Sequence, residues 1–237
     1  MSMRPGFYYE IGKKARDLLY RDYTQQQPLH YHYRFIDWSV DLSLQIEDIA
    51  PGLNAVFRFI VPDYKKVEVG YLSDYAGITA GITLAANPFL SFSGVVGTGF
   101  FSLGTELTFD TAARMFTDYS AGLRFNTAFL IASLALTDKG DTLNATCFRT
   151  VNTLTKTAIA AELSHSLSLN ETAFAIGTQH GLTPFTLIKA RVNTYGQAGA
   201  LIQHELWQKF YFTISGEVDA RDNQRFPKVG LSIALRP

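Results

Sequence analysis

The chain has 237 residues, 47% hydrophobic, 14% aromatic and only 18% charged, with 21 basic residues balanced by 21 acidic ones. Zero formal charge removes the electrostatic basis for nucleic-acid binding, which needs surplus Lys and Arg to displace counterions. Eighteen Phe and twelve Tyr with so little charge exclude a disordered chain.

The opening MSMRPGFYYE lacks a continuous apolar run, so no secretory signal is expected, and Glu10 and Asp17 argue against a mitochondrial presequence. From Phe7 to Arg21 the spacing predicts a helix: Ile11, Ala15, Leu18 and Leu19 fall on one face, with Lys13, Lys14, Arg16 and Asp17 around the rest. Pro5 suits its first turn. Such a helix can pack on a protein surface, lie at a membrane interface or lodge in a polar barrel.

Beyond it, Val40, Leu42, Leu44 and Ile46 alternate with Ser39, Asp41, Ser43 and Gln45, which predicts a strand, and Leu29–Phe35 reads as another. Between Asp74 and Glu106 lie 31 residues without a charge, long enough to suggest a membrane helix. Six glycines and the Asn87-Pro88 pair argue against helix there, and Ile78, Ala80, Ile82 and Leu84 alternate with Thr79, Gly81 and Thr83. Three strands are expected in the run, with turns at Asn87-Pro88 and Gly97-Thr98-Gly99.

The alternation continues: Ile159, Ala161, Leu163 and Leu167 oppose Ala158, Ala160, Glu162 and Ser164; Phe210, Phe212, Ile214 and Val218 oppose Tyr211, Thr213, Ser215 and Glu217. Turn signals stand at Asp110-Thr111, Asp138–Asp141, Asn170-Glu171, Thr183-Pro184, Tyr195-Gly196 and Asp222-Asn223. Roughly sixteen strands follow from Leu29 onward without a domain boundary. A soluble all-β sandwich would give the same alternation. A membrane barrel accounts better for the uncharged run and the absent linker.

Several stretches are similar to one family in the same order: Pro5–Tyr23, Ala50-Pro51-Gly52-Leu53, DYAGIT (Asp74–Thr79), FSGVVGT (Phe92–Thr98), KGDTLNA (Lys139–Ala145), GTQHGL (Gly177–Leu182), KARVN (Lys189–Asn193), ALIQHE (Ala200–Glu205), SGEVD (Ser215–Asp219) and KVGLSIALRP (Lys228–Pro237). Together they resemble the mitochondrial voltage-dependent anion channels, the eukaryotic porins, and most of all the plant branch. The resemblance implies an all-β antiparallel membrane β-barrel over 1–237, in the mitochondrial outer membrane, with an amphipathic helix over 6–21 in the lumen. It also implies a voltage-gated, weakly anion-selective diffusion channel for ions and small metabolites, nucleotides included. The implied partners are the lipid bilayer, the outer-membrane barrel assembly machinery and further copies of the chain, with no cofactor, metal or nucleic acid. Lys228, Gly230, Ile233 and Leu235 fit the family's assembly signal in the last strand. The family has about nineteen strands, the first and last of which pair in parallel. Residues 24–49 stand in for a longer segment, and an even number of strands would require antiparallel closure.

With apolar rows toward lipid, Arg58, Arg124, Lys189, Arg191 and Lys228 line the pore against Asp41, Glu106, Glu162, Glu205 and Glu217. These cancel, whereas Lys13, Lys14 and Arg16 outnumber Glu10 and Asp17 on the helix. Screening over about 8 Å at physiological salt then predicts weak anion preference set by the helix. The remaining chemistry is thin. GVVGTG (Gly94–Gly99) opens no helix, so it is no dinucleotide loop. His165, His180 and His204 lack metal-ligand spacing, and lone Cys147 falls on a lipid-facing row. An enzyme is not expected. A non-conducting or import-related barrel of the same superfamily and a soluble all-β binding domain are the alternative readings.

Overall fold

The computed structural model describes residues 4–21, 23, 40–50, 53–61, 64–83, 87–207, 210–220 and 228–235; at 40–66, 207, 228 and 232–235 only the backbone is described. Fifteen strands appear among these residues. They are β1 (Val40–Ala50), β2 (Leu53–Val61), β3 (Tyr64–Leu72), β4 (Ala76–Thr83), β5 (Phe89–Gly97), β6 (Phe101–Asp110) and β7 (Met115–Asn126). They continue as β8 (Leu130–Thr137), β9 (Thr142–Asn152), β10 (Thr157–Ser166), β11 (Glu171–Thr183), β12 (Thr186–Asn193), β13 (Gln197–Trp207), β14 (Phe210–Asp219) and β15 (Lys228–Leu235). Within β1–β7 and within β10–β15 each strand hydrogen-bonds to its neighbour in chain order. The pairing is antiparallel from β1 through β7 and from β10 through β15.

Among the described residues the all-β reading and an N-terminal α-helix hold. The strand expected at Val40–Ile46 forms within β1, whereas Leu29–Phe35 lies outside the described residues. The three strands expected in the uncharged run are β4, β5 and β6. The single helix expected over 6–21 is instead two pieces, a 3-10 turn at Tyr8–Glu10 and an α-helix, α1, at Lys13–Leu19. Gly12 interrupts them with φ +71°, a left-handed conformation that costs glycine little and other residues more. Pro5 does not open a helical turn; it is fully buried ahead of the 3-10 turn.

The chain divides into two compact units. The first contains the N-terminal segment through Ile11, β1 to β7 and Ser133–Leu143; the second contains the segment from Gly12, Phe129–Ala132 and everything from Asn144 onward. Each unit shows the period of two that a strand with unlike faces requires. In the first, Ile78, Phe92, Val96, Leu103 and Leu107 are exposed, while Thr79, Ser93, Val95 and Ser102 are buried on the other face. Thr79 and Ser93 face each other across β4 and β5, with hydroxyls 2.5 Å apart. In the second, Ile159, Leu163, Ile176, Val192, Ile202 and Ile214 are exposed, and Ala158, Ala160, Ala175, Lys189, Arg191, Thr213 and Ser215 are buried. This inverts a soluble sheet, in which the apolar face is covered and the polar face is wet.

Candidate functional site

In each unit the polar, small-residue face carries a piece of the N-terminal segment. In the first unit Arg124, on β7, reaches that segment twice. Its Nη2 donates to the Pro5 carbonyl at 2.7 Å, and its Nη1 meets Glu10 Oε2 at 3.3 Å. The Tyr8 hydroxyl donates to Ser120 Oγ at 2.8 Å, and the Tyr8 ring packs with Ile11 and Val95. Phe7 lies over Gly70, where an added Cβ would come within 3.0 Å of its ring. Arg4 pairs with Asp74 at 3.3 Å on the exposed edge, where such pairs contribute about 0–1 kcal/mol.

In the second unit α1 lies against β10, β11 and β12. Ala15, Leu18 and Leu19 face Ala158, Ala160 and Ala175, with Leu18 and Leu19 only 1% and 0% exposed. Burying each leucine is worth about 1.5–3 kcal/mol. The alanines keep the sheet surface low, and Gly177 lowers it further. A Cβ at Gly177 would stand 2.8 Å from Leu19 Cδ2 and 3.0 Å from both Leu18 Cδ2 and the Ala190 carbonyl.

The helix has no side-chain cap at its N-terminus, but its C-terminal end is capped from the sheet. Lys189 Nζ donates to the Asp17 carbonyl at 3.1 Å, and Arg191 Nη1 to the Leu19 carbonyl at 2.9 Å. Two cations thus meet the end of the helix where unsatisfied carbonyls concentrate negative charge. Arg191 Nη2 also pairs with Glu217 at 3.0 Å, with the two side chains 6% and 10% exposed. Its guanidinium carbon sits 4.5 Å from the Tyr23 ring centre and 5.4 Å from that of Tyr20, within cation–π range.

Burial pushes the Tyr20 hydroxyl up to about 12, helped by the charge of Glu162 and a hydrogen bond to it and opposed by Arg191. Burial likewise raises Tyr23 to about 12, with Arg191 lowering it and Glu217 raising it. Among the described residues the buried Tyr23 hydroxyl and Glu162 Oε2 have no hydrogen-bond partner.

The structure therefore separates the cations read from the sequence. Lys13, Lys14 and Arg16 are exposed on the helix, and Lys14 Nζ stands 6.0 Å from the centre of the Phe148 ring. Lys189 and Arg191 are buried, and only 12% of the Arg124 side chain is exposed. Arg58 and Lys228 are placed by backbone alone: Arg58 opposite Ser43 and Lys66, Lys228 opposite Glu217. Gly230, Ile233 and Leu235 lie on β15 opposite Ser215, Phe212 and Phe210. Tyr20, Tyr23, Phe148 and Gly177 belong to the seat without having been singled out for it. Among the described residues no group of His, Cys, Asp and Glu could hold a metal. Exposed Cys147 lies on the face opposite Phe148, as its row predicts.

A family model described as eukaryotic porin matches residues 33–230. The chain is 47% identical to a potato protein named mitochondrial outer membrane protein porin of 36 kDa, over 98% of this chain and 99% of the relative. It is 44% identical to the potato porin of 34 kDa over the whole of both chains. It is 42% identical to Arabidopsis thaliana mitochondrial outer membrane protein porin 1, over 98% of this chain and 99% of that one. The first alignment spans 272 positions, more than the 237 residues present, so that relative carries stretches this chain lacks.

Proposed function

Because the chain belongs to the eukaryotic porin family of β-barrel channels, not enzymes, and the potato and Arabidopsis relatives are named mitochondrial outer membrane porins, we propose that it forms a voltage-gated, weakly anion-selective pore in that membrane. The observation that carries this reading is the sorting of faces. Exposed Ile159, Ile176, Val192, Ile202 and Ile214 suit hydrocarbon, and the opposite face holds charge, hydroxyls and the N-terminal segment. The helix-bearing face lines the water-filled path.

Selectivity then divides by exposure. Arg124, Lys189 and Arg191 are spent on holding the N-terminal segment, and exposed Lys13, Lys14 and Arg16 bias the passing ions. Small anions and metabolites, nucleotides among them, are the solutes such a path passes. The magnitudes also favour gating by the helix. One charge carried through a 100 mV field is worth about 2.3 kcal/mol. That is comparable to re-exposing Leu18 or Leu19, about 1.5–3 kcal/mol each. Strand β15, with Lys228, Gly230, Ile233 and Leu235, is the segment proposed to engage the barrel assembly machinery, and the lipid-facing rows are open to self-association.

Planar-bilayer recording of the purified chain in a salt gradient tests the reading. Steps of conductance that fall as voltage rises, with a small anion-directed reversal potential, are expected. A strongly cation-selective reversal potential, or no channel at all, would overturn it.

A further inference from the structure

On the exposed face of the second unit, Ile159, Ile176 and Val192 stand as ridges around a groove of about 390 Å³. Its floor is Thr178 and Ala190, with Gly177 and Arg191 contributing main chain from strands β11 and β12. The volume falls within the range of about 300–1,000 Å³ typical of small-molecule sites. The groove is apolar along its length, and its one side-chain hydroxyl, that of Thr178, is turned to the Ala158 carbonyl at 3.3 Å. Nothing in it would orient a polar ligand.

The end of the groove is different. Two residues beyond Thr178 on the same row of β11, about 7 Å along the strand, is His180. Its Nδ1 lies 2.8 Å from Thr157 Oγ1, which in turn lies 2.6 Å from Thr155 Oγ1. With Nδ1 accepting from Thr157, Nε2 carries the proton and is a donor. Beside this chain is the turn Thr153–Lys156. Exposed Lys156 adopts φ +49° there, and its carbonyl accepts from Gln179 Nε2 at 3.1 Å. Gly181 N donates to the Thr155 carbonyl at 2.8 Å, so turn and strand are tied on both sides of His180. An apolar trough therefore runs toward a rim that carries the His180 imidazole, with exposed Lys156 on the turn tied to it.

We infer that this groove binds one anionic phospholipid, its acyl chain between Ile159, Ile176 and Val192 and its phosphate at Lys156 and His180. The inference rests on the exposed face meeting lipid, as proposed above. Charge complementarity selects the occupant: a zwitterionic lipid brings its own cation to the same rim, whereas an anionic headgroup leaves its phosphate charge for Lys156. A soluble apolar ligand would gain nothing from the rim.

Full-length protein in nanodiscs of phosphatidylcholine and phosphatidylglycerol in equal parts, released for native mass spectrometry, provides the test. One phosphatidylglycerol per chain should be retained over phosphatidylcholine by about tenfold. The double substitution K156Q/H180Q should bring that ratio to parity while leaving some lipid bound. Ala190→Phe, which fills the groove, should remove both lipids, with Val192→Trp as the second groove variant if the first does not fold. Wild-type protein without preference, an unchanged ratio in K156Q/H180Q, or undiminished lipid on a folded groove variant would overturn the site alone. Failure of the chain to enter nanodiscs would overturn the lipid-facing reading together with it.

Discussion

Arg191 meets the Leu19 carbonyl, Glu217 and the rings of Tyr20 and Tyr23 with one guanidinium. Removing one member of a buried pair leaves the other charge without compensation, at a cost of about 3–5 kcal/mol. R191M should therefore destabilise the folded chain by that order in chemical unfolding. R191M/E217L should cost less than R191M alone, because no unpaired carboxylate remains; a double variant as unstable as the sum of the singles would contradict the pairing. The two tyrosines add a pH dependence. Their hydroxyls titrate near 12 when seated and near 10 when free, so the protonated phenols favour the seat. That contribution is complete below pH 10 and is lost as pH rises through 12. Tyrosinate absorbance should show a late-titrating phase that Y20F/Y23F abolishes. Arg191 and Glu217 could be read from sequence as charges on one face, but not their meeting with Tyr20 and Tyr23, which lie far from both along the chain.

At the level of elements, α1 depends on a surface cleared of side-chain bulk. Gly177→Val would press on Leu18, Leu19 and the Ala190 carbonyl. Overpacking of this kind costs about 1–3 kcal/mol. The variant should retain its strands by circular dichroism yet expose the Lys13–Arg16 stretch to trypsin faster; unchanged cleavage would show that the seat tolerates the valine. The strands themselves were legible, since Ile159, Ala161 and Leu163, and likewise Phe210, Phe212 and Ile214, recur at every second residue, the period of a pleated strand. The helix was legible only as a face. Ile11, Ala15, Leu18 and Leu19 point the same way in the sequence pattern, but Ile11 packs with Tyr8 and Val95, and the other three with Ala158, Ala160 and Ala175. The break between them had a visible signal in Gly12, the weakest helix former between Phe7 and Arg21.

For the whole molecule, the low proportion of charge, 18%, is a matter of location. Charge is scarce on the exposed rows, where one at the bilayer midplane costs about 2–4 kcal/mol, and it gathers on the helix-bearing face. The balance of Lys and Arg against Asp and Glu could be counted from sequence, but not which cations water would reach. Since Lys13, Lys14 and Arg16 are exposed while Lys189 and Arg191 are buried, K13Q/K14Q/R16Q should move the reversal potential toward the nonselective value without loss of folding. If K189Q moved it as far, exposure would not be what sets selectivity. The cap that Lys189 and Arg191 place on α1 has a consequence for anyone redrawing this pore. On the proposed reading, permeation is open to editing along the exposed edge of the helix, one residue at a time. The fixings behind it cannot be edited singly, because Arg191, Glu217, Tyr20 and Tyr23 share a single guanidinium and would have to be exchanged together.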